Sequence, residues 1–268
     1  MIDREFGGRR LLVVTLLALG IGLPATAASK PGGGITAAGV GASTTGAATT
    51  GAAGATGVTA RPTAQAQEVS FPTADGGTVF AHLYGSGTRG VVLAHGQVFN
   101  KESWRPLAEE LAGAGHLVLA IDFRGYGSSV AGSEPRALYQ DVLAGVRYLA
   151  GEHGAEVDVI GGSMGGGAAA EAAGMSEPGE IRRLILLSGV PISNPERMKA
   201  ERILFIASEE EPMAPRVRDQ YGRAPEPKRL EMLPGDAHAQ HIFRSDQGEA
   251  LSALILAFLS EPRSPAAR

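Results

Sequence analysis

Ser163 stands in Gly161-Gly162-Ser163-Met164-Gly165, between an apolar run from Val157 to Ile160 and an alanine-rich, helix-forming segment. A G-x-S-x-G pentapeptide set between a strand and a helix is a turn that can present a serine as a nucleophile. Gly161 and Gly165 leave room where strand and helix nearly collide, so the Ser163 hydroxyl can be pushed out of the sheet on a strained backbone. The helix beginning there aims free N–H groups at any oxyanion formed beside the serine, with Met164 the nearest donor. In a chain with 38 glycines the pattern alone is weak, and the bland reading is a glycine-rich turn with an idle serine. The flanking elements and the available partners decide against that reading.

A serine hydroxyl needs a base beside it and a third group to orient that base. Of the six histidines, His82 alternates within an apolar run, His116 begins one and His153 lies in a polar loop, which makes them structural or solvated. His238 and His241 fall in Leu233-Pro-Gly-Asp-Ala-His-Ala-Gln-His, after a final strand and before a closing helix. His238 is nearer the strand end, in a small-residue loop that can bring its ring over the sheet, so it is preferred to His241. An orienting acid should follow an earlier strand, and Ile203–Ser208 runs straight into Glu209-Glu210-Glu211-Pro212. A solvated acidic loop describes two of those glutamates. Asp236 is too close to His238 along the chain for the ring geometry required. A second oxyanion donor is expected from the loop after Gly90–Ala94, where Ala94-His95-Gly96-Gln97 makes the Gln97 N–H the candidate. His95 is expected to brace that loop.

These groups require a scaffold that brings several loops to one place. Glu68–Phe71 and Thr78–Tyr84 flank Asp75-Gly76-Gly77, a hairpin signal. Buried strands are expected at Gly90–Ala94, His116–Ile121, Val157–Ile160, Arg183–Ser188 and Ile203–Ser208, with a last strand at Lys228–Leu233. Between them, Trp104, Leu107 and Leu111 line one helix, capped by Asn100. Leu138, Val142, Val146 and Leu149 line another, with Pro135 in its first turn. Leu251, Leu254, Ile255, Phe258 and Leu259 mark a closing helix. Strands alternating with helices imply an α/β fold, a mostly parallel eight-stranded sheet flanked by helices. In such sheets sites form beyond the carboxyl ends of the strands, where Ser163 and its candidate partners all lie.

Composition excludes much else. A net charge of −4 with no basic run leaves nucleic-acid binding without support. The absence of cysteine removes disulfides, thiolate metal sites and a thiol nucleophile. At the N-terminus, Arg4, Arg9 and Arg10 precede an apolar run from Leu11 to Leu23 and then Pro24-Ala25-Thr26-Ala27-Ala28. That order reads as a secretory signal peptide over residues 1–28, because the apolar run is shorter than the ~20 residues a bilayer-spanning helix needs. It predicts an extracellular or periplasmic protein that meets a membrane only during export or through an uncleaved N-terminal segment. Residues 29–67 are almost entirely Gly, Ala, Thr and Ser, too poor in apolar surface to fold, and read as a disordered tether. The folded domain is expected over 68–262, with a short disordered tail at 263–268. Nothing in the chain specifies an oligomer.

Taken together, GGSMGG at 161–166, AHGQ at 94–97, Asp122-Phe-Arg-Gly-Tyr-Gly-Ser128, Ile206-Ala-Ser-Glu-Glu-Glu-Pro212 and Gly235-Asp-Ala-His238 resemble the α/β-hydrolase superfamily. The resemblance covers about Glu68 to Leu259 and is nearest to lidless serine esterases and dienelactone-hydrolase-like members. It implies structural roles for Asp122 and Arg124. Relatives commonly carry Gly-x-x-Asp in the acid loop; Ser208 replaces the glycine here and Glu211 the aspartate. Glu211 is therefore the expected acid, with Glu210 in reserve, and the chain order Ser163, Glu211, His238 follows the family's. Only Gly189 to Arg202 separates the sixth and seventh strands, too little for a cap domain. The resemblance thus implies an open-sited serine hydrolase that cleaves small or exposed carboxylic esters through an acyl-enzyme on Ser163, with no metal or organic cofactor. A peptidase or amidase using the same groups, and a non-catalytic binding protein that keeps the fold, are the alternatives.

Overall fold

The computed structural model describes residues 66–262. The expected signal peptide, nearly all of the expected tether and the expected tail lie outside the described residues. Eight strands form one sheet: β1 (Gln67–Pro72), β2 (Thr78–Gly85), β3 (Arg89–Ala94), β4 (Leu117–Ile121), β5 (Glu156–Gly162), β6 (Arg183–Leu187), β7 (Arg202–Ser208) and β8 (Lys228–Leu233). Their order across the sheet is β1-β2-β4-β3-β5-β6-β7-β8. The β1–β2 hairpin and the β2–β4 pair are antiparallel, and every other pair is parallel. The central strands β4 and β6 are buried at every position, as strands covered on both faces must be.

Among the described residues, five α-helices cover the sheet: α1 (Arg105–Gly113), α2 (Tyr139–His153), α3 (Met164–Met175), α4 (Ala214–Arg223) and α5 (Gly248–Ser260). Apolar residues of α2, α3 and α4 share one core with Val92, Leu119 and Phe205, while those of α1 and α5 share the other with Val91, Leu93 and Leu204. Alternate residues of the central strands β3, β4, β6 and β7 thus feed opposite cores, which is the two-residue period of a strand made physical. Each fully buried Leu or Phe contributes about 1.5–3 kcal/mol relative to exposure.

The connections set the site. From β3 the chain goes through α1 to β4 on one side; from β4 it crosses back through α2 to β5 on the other. The strand order therefore reverses between β3 and β5, and their outgoing loops diverge to leave a crevice at their carboxyl ends. Ala94 pairs with Gly161 across that junction, so the residues after β3 lie beside the serine turn after β5.

Two buried ionic clusters hold the loops around this crevice. Lys101 donates to Asp122 from its backbone N–H at 2.8 Å and from Nζ at 2.7 Å. Burial pulls the Lys101 ammonium down, but its hydrogen bonds to Asp122 and Glu102 outweigh that and leave its pKa above the ordinary lysine value. Arg124 bonds Asp141 and Asp75 together. The Arg124 guanidinium holds the Asp75 carboxyl well below the usual range. Breaking such a buried set from one side costs about 3–5 kcal/mol, because charges are left without partners. Asp122 and Arg124 are thus wholly engaged in bracing contacts.

Two expectations need correcting. Pro135 is not in the first turn of α2, which begins at Tyr139; it sits in the preceding loop, where the Ala137 N–H closes a turn on Glu134 O. Asn100 does cap the helical stretch, but through a 3₁₀ turn at Lys101–Trp104 that hands over to α1 at Arg105. Pro106 has no N–H to continue a helix from that turn and suits the first turn of a new one. The helix α4 was not anticipated, because it carries Pro215 and three arginines and buries only Ala214, Val217 and Gln220. Between β6 and β7 there is only a loop with a 3₁₀ turn at Pro195–Arg197, and no cap.

Candidate active site

Ser163 follows β5 directly and holds φ 51° and ψ −113°. A non-glycine residue in that region costs on the order of 1–3 kcal/mol and persists only where its surroundings fix it. They do so here. The Ser163 N–H donates to Leu187 O at 2.9 Å, and Ser163 O accepts from the Gly167 and Val190 N–H groups at 3.1 and 2.9 Å. A Cβ on Gly161 would run into the Gly165 carbonyl, and one on Gly165 into the carbonyls of Ala94 and His95. The sharp turn therefore depends on both glycines.

His238, in the loop after β8, places Nε2 2.8 Å from Ser163 Oγ. Its Nδ1 is hydrogen-bonded to Glu211 Oε2. With the Nδ1 proton directed at the carboxylate, Nε2 is left as an acceptor for the serine proton. The imidazole is partly open to solvent while the Glu211 side chain is fully buried. The other Glu211 oxygen accepts from Ser188 Oγ at 2.6 Å and from the Ser208 N–H at 3.0 Å. Three donors converging on one buried group suit a carboxylate, which only accepts. Ser208 also donates from Oγ to Ala237 O at 2.6 Å, tying the acid loop to the histidine loop.

The remaining candidates are not brought to the serine. Glu209, Glu210 and Asp236 are exposed. The backbone N–H of Glu210 bonds Gly235 O, so the acid loop is anchored there while its side chain stays in solvent. His241 is exposed too, its ring centroid 5.0 Å from that of Phe99. His116 is buried away from the crevice, and burial beside Arg89 lowers its pKa to about 4.

The loop after β3 lies against the serine: a Cβ added to Gly96 would sit 3.4 Å from Ser163 Cβ. Tyr126 Oη donates to Gln97 O at 2.8 Å and lies 3.9 Å from Met164 Sδ, bridging the two proposed oxyanion residues. Among the described residues, neither the Gln97 nor the Met164 N–H has a protein acceptor. His95 is fully buried; its Nδ1 bonds Gly96 O at 2.9 Å and its Nε2 accepts from the Phe123 N–H at 3.2 Å. Burial lowers the His95 pKa, which keeps the ring neutral and able to make both bonds. With both ring nitrogens so engaged, it braces the loop.

Ser188 is a residue of the candidate site to which the sequence did not point. It closes the apolar run of β6, bonds the acid and accepts from the Ala239 N–H at 3.0 Å, one residue beyond His238. Its φ of 46° places it in the left-handed region, like Ser163. The available signal was a polar residue directly after the apolar run Leu184–Leu187 and followed at once by Gly189.

Two open cavities touch the loop after β3, and neither is lined by Ser163, His238 or Glu211. One of about 510 Å³ is lined by Phe99, Trp104, Leu107, Phe243, Ala253 and Leu256, with Gln240 at its edge. The other, about 680 Å³, follows the loop from Gln97 to Asn100 together with Tyr126. Among the described residues, no cluster of His, Asp and Glu could hold a metal ion, and no helix is long and apolar enough to cross a membrane.

Several solved structures share this architecture. An esterase from Pyrococcus furiosus superposes with a TM-score of 0.64 at 19% identity, over 75% of this chain and 92% of that one. A dienelactone hydrolase from Anabaena variabilis gives 0.58 at 22%, over 72% and 95%. An esterase from Exiguobacterium antarcticum gives 0.57 at 15%, over 73% and 100%. At such identities the likeness is one of fold. The sequence itself carries the assignment further, since residues 91–266 match the Alpha/beta hydrolase family. That span runs from β3 through the serine turn, the acid loop and the histidine loop, and on its strength the chain belongs to the α/β hydrolase family.

Proposed function

We propose that this protein is an exported serine hydrolase that cleaves carboxylic esters through an acyl-enzyme on Ser163. The observation that carries the reading is the hydrogen-bonded line from Glu211 through His238 to Ser163 Oγ, with 2.8 Å at the serine end. Hydroxyl, imidazole and carboxylate stand in the order that general-base activation of a serine requires.

In the reaction, Ser163 Oγ attacks the ester carbonyl as His238 Nε2 takes its proton. The ring becomes an imidazolium, and the buried Glu211 carboxylate stabilises it from Nδ1. The Gln97 and Met164 N–H groups receive the developing oxyanion; each is worth about 3 kcal/mol in the transition state. His238 returns the proton to the leaving alcohol, and the acyl-enzyme remains. A water, losing its proton to His238 Nε2, attacks the same carbonyl; the bond to Ser163 Oγ then breaks, His238 gives the proton to that oxygen, and the acid leaves.

The short connection between β6 and β7 supports small or exposed esters, because among the described residues it builds no cap over the crevice. The 510 Å³ cavity that Phe99 of the loop after β3 helps to line offers an apolar acyl or alkyl group a surface to lie on. Export rests on the sequence of residues 1–28 alone. The test is turnover of p-nitrophenyl acetate by the full chain beside Ser163→Ala, with aminoacyl p-nitroanilides in parallel. The account expects ester turnover that the variant lacks. Preferential cleavage of the anilides supports the peptidase reading, and equal inertness of wild type and variant a binding protein.

A further inference from the structure

The oxyanion loop is fixed by a residue of the histidine loop. Gln240 is 4% exposed and lies two positions after His238. Its Oε1 accepts from the Gly96 N–H at 2.7 Å and its Nε2 donates to Ser103 Oγ at 2.8 Å. Ser103 Oγ in turn donates to Asn100 O at 2.5 Å. One side chain therefore spans from the loop after β8 to both ends of the loop after β3. We propose that Gln240 is a positioning residue that sets the direction of the Gln97 N–H, coupling the placement of the base to that of the oxyanion hole. The proposal rests on the esterase reading of Ser163 and His238, and deepens it.

The geometry is that of two successive peptide planes. Gly96 is a backbone with no side chain to restrict its rotation, so its neighbours must hold it. The plane carrying the Gly96 N–H is held by Gln240 Oε1. The next plane carries Gly96 O at one end and the Gln97 N–H at the other, and a trans peptide points these two in opposite directions. Gly96 O is taken by His95 Nδ1 at 2.9 Å and by the Phe99 N–H at 3.0 Å. With both planes held, the Gln97 N–H points away from those two donors. Releasing the first plane lets Gly96 rotate and leaves the second held from one end only. Oxyanion donors act by being aimed before the charge develops, so loss of aim appears in kcat and leaves ground-state binding largely intact.

Gln240→Leu keeps the volume and removes both hydrogen bonds; Gln240→Glu keeps an oxygen that accepts from the Gly96 N–H, while its other oxygen can accept from the Ser103 hydroxyl only once that proton turns away from Asn100 O. Both are made in the full chain, with active sites counted by phosphonate titration of Ser163. Phenylboronic acid, which forms a tetrahedral anion on a nucleophilic serine, serves as the probe of the oxyanion hole. Expected for Gln240→Leu are a kcat per titrated site lowered about 10- to 100-fold, a KM within about twofold of wild type, and a boronate inhibition constant raised in parallel. Gln240→Glu should recover most of both losses. The proposal is overturned by an unchanged kcat in Gln240→Leu, by a kcat loss with unchanged boronate affinity, or by a Glu variant no better than Leu. If Gln240→Leu does not fold, Ser103→Ala, which frees only the far end of the strut, must show a smaller loss of the same kind or the proposal fails. A wild-type chain inert to esters and boronate brings down the esterase reading and this proposal with it. An active wild type matched by Gln240→Leu brings down this proposal alone.

Discussion

Ser188 Oγ lies 2.6 Å from Glu211 Oε1 and donates to it, while accepting at 3.0 Å from the N–H of Ala239. One hydroxyl thus fastens the acid to the backbone beside His238. Three loops meet at this oxygen, those after β6, β7 and β8.

Replacing Ser188 tests that fastening. Ser188→Ala should lower kcat about tenfold or more, since the Ala239 N–H is left buried without a partner at a cost of about 1–3 kcal/mol and Glu211 loses one of its three donors. Ser188→Gly relieves the strained φ yet lacks the hydroxyl, so it should show the same kcat loss with a smaller drop in thermal stability. Equal kcat in wild type and both variants would remove Ser188 from the site.

The acid is tested by a pair. Glu211→Gln should lower kcat on the order of 10³- to 10⁴-fold, because an amide can present its N–H to His238 Nδ1 and stabilise the wrong tautomer. Glu210→Gln, at an exposed position, should stay within about twofold. A reversal of these results would move the acid to Glu210.

Stability should fall in acid with a slope traceable to His116. Burial and the neighbouring arginines hold its folded pKa at about 4, against an ordinary value of 6.5. The folded state therefore binds fewer protons than the unfolded state between those values, and stability declines as pH falls through that window. Between pH 7.5 and 4.5 the contribution is about 2–3 kcal/mol. His82 and His95 are lowered by burial as well and add in the same direction. Urea unfolding of His116→Gln should show a correspondingly shallower pH dependence; identical slopes would contradict the assignment.

Acyl preference should answer to the cavity beside Phe99. Ala253 is exposed on α5 and lines that cavity without touching Ser163, His238 or Glu211. Ala253→Phe narrows it, so kcat/KM for p-nitrophenyl octanoate should fall about 10-fold while the acetate value holds. Equal effects on the two esters would place the acyl chain elsewhere.

Much of this was legible in the sequence because the relevant signals are local. A buried parallel strand announces itself as an apolar run, and a strand–Gly-x-Ser-x-Gly–helix junction has few other uses, so the strands and Ser163 could be placed from residue types. His238 was legible from its position just past a strand end. Choosing Glu211 among three adjacent glutamates needed the family's spacing as well as residue type. What was not legible depends on distance through space. Ser188 and Gln240 reach His238's loop and the oxyanion loop across 51 and 144 residues of chain. No window along the sequence contains both ends of either bond. The helix α4 escaped for another reason: it is short and strongly polar, and its inward side consists only of Ala214, Val217 and Gln220, so no apolar run marks it.

The central claim is that Ser163 is a nucleophile made so by His238 and Glu211. Its most direct measurement is the intact mass of the full chain after treatment with a fluorophosphonate, followed by mapping of the labelled peptide. The account predicts a single adduct on Ser163, absent in Ser163→Ala and slowed by orders of magnitude in His238→Ala. An unlabelled wild type, or an adduct on any other residue that accounts for loss of ester turnover, would contradict it.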